Sequence, residues 1–274
     1  MPPMTASFKP PFQRIASLTC SNTEILAALD LGHLLCAADD HSDFPGEVLK
    51  DLPRLGPDLQ IDVRRLQDLQ PDLVLASLSV PGMEKVVQEL ETSGLNFVVL
   101  DPTSWTGVLE SIRTVGQVMR CQERAETLIA AMQQEVEALK ASLPVFSHPP
   151  RVLIEWWPRP VIVATRDSWI TDMLHLLGAE NAFVHLEKRS SPVTDQQVLE
   201  AQPDLIVCSW CGVRKIRPDV VFKREKWASL AAVQEHRVVV IPESGLGRPG
   251  PRLMEGFRAL AAALKGLNGS SPFQ

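Results

Sequence analysis

The sequence predicts an α/β protein made of two three-layer α/β lobes with mainly parallel sheets, bridged by one long backbone α-helix. Three observations predict this. Short apolar runs alternate with amphipathic stretches along the chain, the pattern of parallel strands covered by helices. Ala125, Leu128, Ile129, Met132, Val136, Leu139 and Leu143 recur by threes and fours, which is one face of a helix. From Gln122 to the stop at Pro144 that helix has about 21 residues and a length of roughly 31 Å. Finally, Leu69-Gln70-Pro71-Asp72-Leu73-Val74-Leu75-Ala76-Ser77 is echoed by Ala201-Gln202-Pro203-Asp204-Leu205-Ile206-Val207-Cys208-Ser209. Each copy reads as a helix end, a Pro-Asp turn, a buried strand and a serine.

The elements follow in order. Arg14 to Leu18 is a strand, and Ser21 or Asn22 is expected to cap a helix through Ile25, Leu26 and Leu29 that ends near Gly32. Leu34 to Ala38 is a second strand, followed by the polar loop Asp39 to Asp43 and a Pro-rich crossing to Asp58. Ile61 to Leu69 is a helix stopped by Pro71, Asp72 to Ala76 a buried strand, Met83 to Leu90 a helix and Leu95 to Leu100 a strand. Ser104 caps a shorter helix through Met119, with Gly116 and Arg120-Cys121 as its break from the long helix. After Pro144 the order returns: strands at Arg151 to Trp156 and Val161 to Ala164, then a helix capped by Ser168 and ended at Gly178. Val238 to Ile241 matches Phe97 to Leu100. The expected organisation is a lobe at 13–103, a bridging helical segment at 104–147 and a lobe at 148–266.

Composition excludes several classes. A formal charge of −6 over 274 residues, with no long basic run, argues against a nucleic-acid partner. No stretch is apolar for long enough to insert in a membrane. The first residues have no signal-peptide pattern, and five irregularly spaced cysteines do not read as a disulfide framework. Both observations predict a cytoplasmic protein, extracytoplasmic only if a leader was removed.

Ligands of open α/β sheets are met beyond the carboxyl ends of strands, so two facing sheets place the expected site in a cleft between lobes. Trp105, Trp156, Trp157, Trp169 and Trp210 fall at strand ends or helix starts, where a flat indole can meet a ligand, whereas Trp227 reads as structural. Strand alternation sends only one of Trp156 and Trp157 to the cleft. Ser21, Asn22, Asp40, His41, Ser77, Ser79, Arg214 and Arg248 supply orienting polar groups. The histidines are scattered, so no metal site is expected. Cys208 and Cys211 have a two-residue gap but no second pair, and read as free thiols. Gly245-Leu246-Gly247 does not continue into a dinucleotide or phosphate-loop pattern. No catalytic residues are assigned.

The segments Arg14 to Leu18 with Thr23 to Leu29, Asp40-His41-Ser42-Asp43-Phe44-Pro45, Leu69 to Leu75 and Arg248-Pro249-Gly250-Pro251-Arg252-Leu253 together resemble the cobalamin and iron-siderophore family of ABC-transporter substrate-binding proteins. Pro81 to Lys85 and Glu155-Trp156-Trp157-Pro158-Arg159-Pro160-Val161 resemble its cobalamin-binding branch. The resemblance implies a non-enzymatic protein without a catalytic cofactor, holding cobalamin or a related corrinoid between lobes that close little. It adds Asp58 and Leu246 to the expected ligand contacts and places binding at Ser21-Asn22, Asp40-His41, Ser77 to Ser79, Trp105, Trp156-Trp157, Trp210 and Leu246 to Arg248. Transporter-coupled relatives usually present a glutamate from each lobe to arginines of a permease. The matching positions here are Arg64 and Gln196, with Asp62 and Asp195 adjacent. Arg64 would repel such a partner, so the expected role is intracellular storage, buffering or hand-over of the corrinoid. The alternatives are a ferric-siderophore or haem-binding importer component, and an enzyme using Asp40-His41 or the two thiols on a corrinoid.

Overall fold

The computed structural model describes residues 10–213 and 215–267. They form two compact units. One comprises the described residues up to Asp101 together with Leu109–Ala130, the other Pro102–Val108 and the residues from Ala131 onward.

In the first unit, β1 (Ile15–Ser17), α1 (Cys20–Ala28), β2 (Leu35–Ala38), α2 (Gly46–Leu49), α3 (Val63–Asp68), β3 (Leu73–Ser77), α4 (Glu84–Ser93) and β4 (Phe97–Leu100) follow one another. Among the described residues the four strands form one sheet of order β2-β1-β3-β4, parallel throughout. Their carboxyl ends therefore share one edge. The strands run Val, Leu, Ala and Phe because both faces are covered; Ala16, Val74 and Ala76 pack with Leu66, Val86 and Leu90 of the helices. Helix α1 begins one turn earlier than expected. Thr19, not Ser21 or Asn22, is its N-cap, and both of those residues lie inside the helix and are buried.

Next come α5 (Trp105–Val118) and α6 (Gln122–Ala141), divided at the expected break. Arg120 adopts the left-handed conformation at φ 56°, and a Cβ on Gly116 would stand 2.5 Å from that of Ala125. The glycine lets the two helices approach closely, and Arg113 grips Glu126 across them at 2.5 and 3.0 Å. The periodic face of α6 is the buried one: Ala125, Ile129, Met132 and Val136 are inside. This single helix runs from one unit into the other, its residues dividing after Ala130.

The second unit contains β5 (Arg151–Pro158), β6 (Val161–Ala164), α7 (Trp169–Leu176), β7 (Glu180–Asn181), β8 (Ser190–Pro192), α8 (Asp195–Ala201), β9 (Leu205–Cys208), α9 (Asp219–Phe222), α10 (Ala231–Gln234), β10 (Val238–Val240), α11 (Glu243–Leu246) and α12 (Leu253–Gly266). Its sheet has the order β10-β9-β5-β6-β8, with β7 on the start of β5. Strands β10, β9 and β5 are parallel, whereas β6 turns back antiparallel to β5 as a hairpin.

The internal repeat has a physical cause. Gln70 and Gln202 both take left-handed φ, at 46° and 44°, ending α3 and α8 just before the proline. The aspartate that follows then staples the first strand of its own unit. Asp72 accepts from the backbone N–H groups of Gln13 and Arg14 at 2.7 and 3.0 Å, and Asp204 from that of Arg151 at 2.7 Å. Proline frees the turn from a donor, and the carboxylate holds the neighbouring strand in register.

Candidate ligand-binding site

At the carboxyl edge of the first sheet, hydroxyls and acids fill the space between strand ends. Ser17 ends β1, and its Oγ accepts from Thr23 Oγ1 at 2.8 Å; Thr23 lies 2.9 Å from Ser42 Oγ, which donates to Asp39 Oδ1 at 2.5 Å. Asp39 is fully buried. Burial pushes its carboxyl above the usual range, against the bonds from Ser42 and the His41 backbone that favour the anion. Arg54 donates from one nitrogen to the carbonyls of Asp39 and Ser42 at 2.8 and 2.7 Å, bracing the loop. The loop thus offers Asp40 and His41 outward on a fixed base. Asp40 is exposed and accepts from the Gly56 N–H at 3.2 Å, and His41 Nε2 lies 3.9 Å from Asp58 Oδ1.

Other expected contacts of this unit are spent on the fold. Asn22 donates to the Ala76 carbonyl at 3.0 Å, tying α1 to β3 where the two strands β1 and β3 adjoin. Ser21 Oγ lies 3.2 Å from Thr19 Oγ1, and Ser77 donates to Ser79 at 3.0 Å; all four of Ser21, Asn22, Ser77 and Ser79 are buried. Their polarity, legible in the sequence, satisfies the ends of the sheet rather than presenting open donors.

In the second unit the indoles divide sharply. Trp157 is 40% exposed and Trp156 half-buried, on the β5–β6 hairpin where the pairing skips Trp156 as a bulge. Trp105 and Trp210, expected to offer open faces, are only 7% and 5% exposed. Trp105 sets its ring edge against Phe257, and Trp210 donates its indole N–H to Glu155 at 2.9 Å. Trp169 is buried likewise, donating to the Leu246 carbonyl at 2.7 Å, so Leu246 is a core residue. Arg248 is nearly buried, with Nε 3.3 Å from Glu243. Arg214 lies outside the described residues.

A cavity of about 560 Å³ opens in this unit between Thr103-Ser104, Arg166 to Ser168, Asp172, Lys188 and Arg189. Its size suits part of a large ligand. Ser168, which lines the cavity, caps α7 by accepting from the Ile170 N–H at 3.3 Å. Asp172 is engaged by the Trp105 N–H at 2.7 Å, and Arg166 by Asp167 and Glu187.

Glu155 was not legible as a functional group, although a single acid within the run Val152 to Trp157 was its signal. It is fully buried in β5 and bound by Arg224 at 2.5 and 3.0 Å. Burial and the nearby Glu155 carboxylate push the Cys208 thiol up to about 12, so it carries no thiolate at neutral pH. All five cysteines are free. Among the described residues no group of three or more His, Cys, Asp or Glu side chains is placed to hold a metal ion, and no helix is long and apolar enough to cross a membrane.

Residues 15–244 match the model of a family described as periplasmic binding protein. The chain belongs to that family. The periplasmic binding proteins it resembles include an uncharacterized ABC transporter substrate-binding lipoprotein of Bacillus subtilis, 30% identical over 92% of this chain and 80% of the relative. A vitamin B12-binding protein of Pectobacterium carotovorum is 28% identical over 97% of this chain and 93% of its own. Among solved structures, a periplasmic haem-binding protein of Roseiflexus superposes with a TM-score of 0.80 at 25% identity, covering 93% of this chain and 98% of that one. The α/β fold is shared with solved periplasmic binding proteins, and the chain is a solute-binding protein of the ABC-transporter kind. These relatives overturn the cytoplasmic location expected from the sequence. The family match, and similarity to a transporter lipoprotein over 92% of the chain, point outside the cytoplasmic membrane. Free thiols mislead here because buried ones such as Cys208 need no reducing compartment to stay unpaired. The relatives are named as binding proteins rather than enzymes.

Proposed function

We propose that the protein captures a corrinoid, of which cobalamin is the type, as the solute-binding component of an importer. The observation that carries this is similarity over 97% of the chain to a vitamin B12-binding protein. The chemistry at the strand ends agrees with it. A corrin has an extended flat face suited to indole and peripheral amides suited to mixed donors and acceptors. Trp156 and Trp157 supply the first in one unit. The cavity of that same unit, at Ser104 and Lys188, supplies the second.

A ferric chelate or haem is the second reading, favoured by the haem-binding neighbour and by the three basic side chains at the cavity, Arg166, Lys188 and Arg189. The partner in either case is an ABC permease. Arg64 is exposed on α3, and Gln196 on α8 donates to Glu200 at 2.8 Å. Neighbouring Asp62 caps α3, and Asp195 is held by Trp227 and Lys226. The complementary permease face is therefore expected to lack the cations that a glutamate pair would attract.

Indole fluorescence tests the ligand. Cyanocobalamin, cobinamide, haemin and a ferric hydroxamate are titrated separately, with the visible spectrum recorded alongside. Saturable quenching by the two corrinoids at micromolar concentration, weakened in Trp157→Ala, is the expected result. Quenching by haemin or the hydroxamate alone would replace the corrinoid with the second reading.

A further inference from the structure

One side chain bonds the residues on both flanks of the tryptophan pair. Arg224 follows α9 and has only 14% of its side chain exposed. Its guanidinium donates to both carboxylate oxygens of Glu155, at 2.5 and 3.0 Å, and the same nitrogen that makes the longer bond donates to the Pro158 carbonyl at 3.2 Å. Glu155 immediately precedes Trp156, and Pro158 immediately follows Trp157. One rigid, planar group thus pins the residue on either side of the pair. A planar fork with five donors in fixed geometry can do this, whereas a lysine ammonium is a single point.

The clamp is itself fixed from several directions. Trp210 donates to the same Glu155 oxygen at 2.9 Å. The Arg224 guanidinium lies 4.2 Å from the centroid of the fully buried Trp227 ring, and the Trp227 indole N–H donates to Asp195 at 2.9 Å. The Trp156 carbonyl meanwhile accepts from the Cys211 N–H at 3.2 Å, which fixes the bulge between the two pinned residues. A buried ion pair is a costly way to stabilise a sheet, and an apolar pair of similar volume would serve that end as well. What this pair does that an apolar one would not is reach the Pro158 carbonyl and set the course of the hairpin.

We infer that Arg224 is a positioning residue for ligand binding, acting through Glu155 and the Pro158 carbonyl to hold Trp156 and Trp157 in their binding orientation. The inference rests on the reading that this hairpin meets the ligand. Preorganised aromatic anchors lose less freedom on binding, so releasing the hairpin weakens affinity without removing any contact group.

The test uses the full chain labelled with 5-fluorotryptophan, its Trp156 and Trp157 resonances assigned through single Trp→Phe variants. Two substitutions are compared with the unaltered protein. Arg224→Lys keeps the charge beside Glu155 and loses the fork; Arg224→Met combined with Glu155→Gln leaves no buried charge and serves if the first folds poorly. In the ligand-free protein the Trp156 and Trp157 resonances should shift or broaden, while those of Trp105 and Trp169 stay in place. The dissociation constant for cyanocobalamin should rise about tenfold at a temperature well below the thermal transition. Unmoved Trp156 and Trp157 resonances would overturn the clamp. Moved resonances with unchanged cobalamin affinity would overturn its role in binding. Absence of cobalamin binding by the unaltered protein would instead defeat the corrinoid reading, and the ligand-free fluorine spectra would still decide whether Arg224 orients the pair.

Discussion

Replacing Glu155 by alanine should cost the second unit about 3–5 kcal/mol, because it strands the charge of Arg224 away from water and leaves the Trp210 indole N–H without its acceptor. The carboxylate is fully buried and each of its oxygens is used. Most of the loss belongs to the abandoned partner rather than to the pair itself. Removing both charges, as in Glu155→Gln with Arg224→Met, should therefore restore much of the stability that Glu155→Ala forfeits. Thermal unfolding followed by calorimetry separates these outcomes, with the transition of the second unit as the signal. If Glu155→Ala and the double variant unfold at one temperature, the pair is not a coupled buried unit.

A methyl group at Gly256 should be nearly as damaging. A Cβ there would lie 2.0 Å from the carbonyl oxygen of Gly245 and 2.8 Å from a Leu246 methyl, so α11 and α12 touch backbone to backbone. Relief requires the two helices to part, since the obstacle is a carbonyl and not a pliable side chain. Gly256→Ala is expected to lose about 3 kcal/mol, the upper part of the range for overpacking. Gly46→Ala is the matched control, having no atom within 4 Å of the added methyl, and should leave the unfolding midpoint where it is. Equal midpoints for the two variants would show that the close contact of α11 with α12 is mistaken.

The same contact explains a pattern that local reasoning could only reject. Gly245-Leu246-Gly247 holds no phosphate motif. Gly245 is small because a Cβ there would stand 3.1 Å from the Gly256 nitrogen, and Gly247 because one would meet Glu243 at 2.9 Å. The fold was legible where the cause is local. The Pro-Asp staples, the period of α6 and the break at Gly116 to Cys121 each depend on residues near in sequence, or on a pattern repeated in both halves. The site was less legible because the exposure of an indole depends on partners far along the chain. Trp169 is buried through an acceptor 77 residues away and Trp210 through one 55 residues away. Nothing in the neighbourhood of either residue distinguishes it from Trp157, which stays open. Polar residues misled in the same manner. Ser77 and Ser79 stand at the end of β3 and Ser21 and Asn22 in the first turn of α1, where a sheet edge needs hydrogen bonds of its own and these side chains provide them. Asp39 was passed over for its neighbour Asp40, although it carries the buried network that sets the loop.

Equilibrium dialysis against cyanocobalamin, with haemin and a ferric hydroxamate as competitors, tests the proposed corrinoid binding most directly. Retention of one cobalamin per chain, half-saturated at micromolar or lower concentration and not displaced by equal amounts of either competitor, is the result expected. Free passage of cobalamin across the membrane, with haemin or the hydroxamate held back in its place, would contradict it.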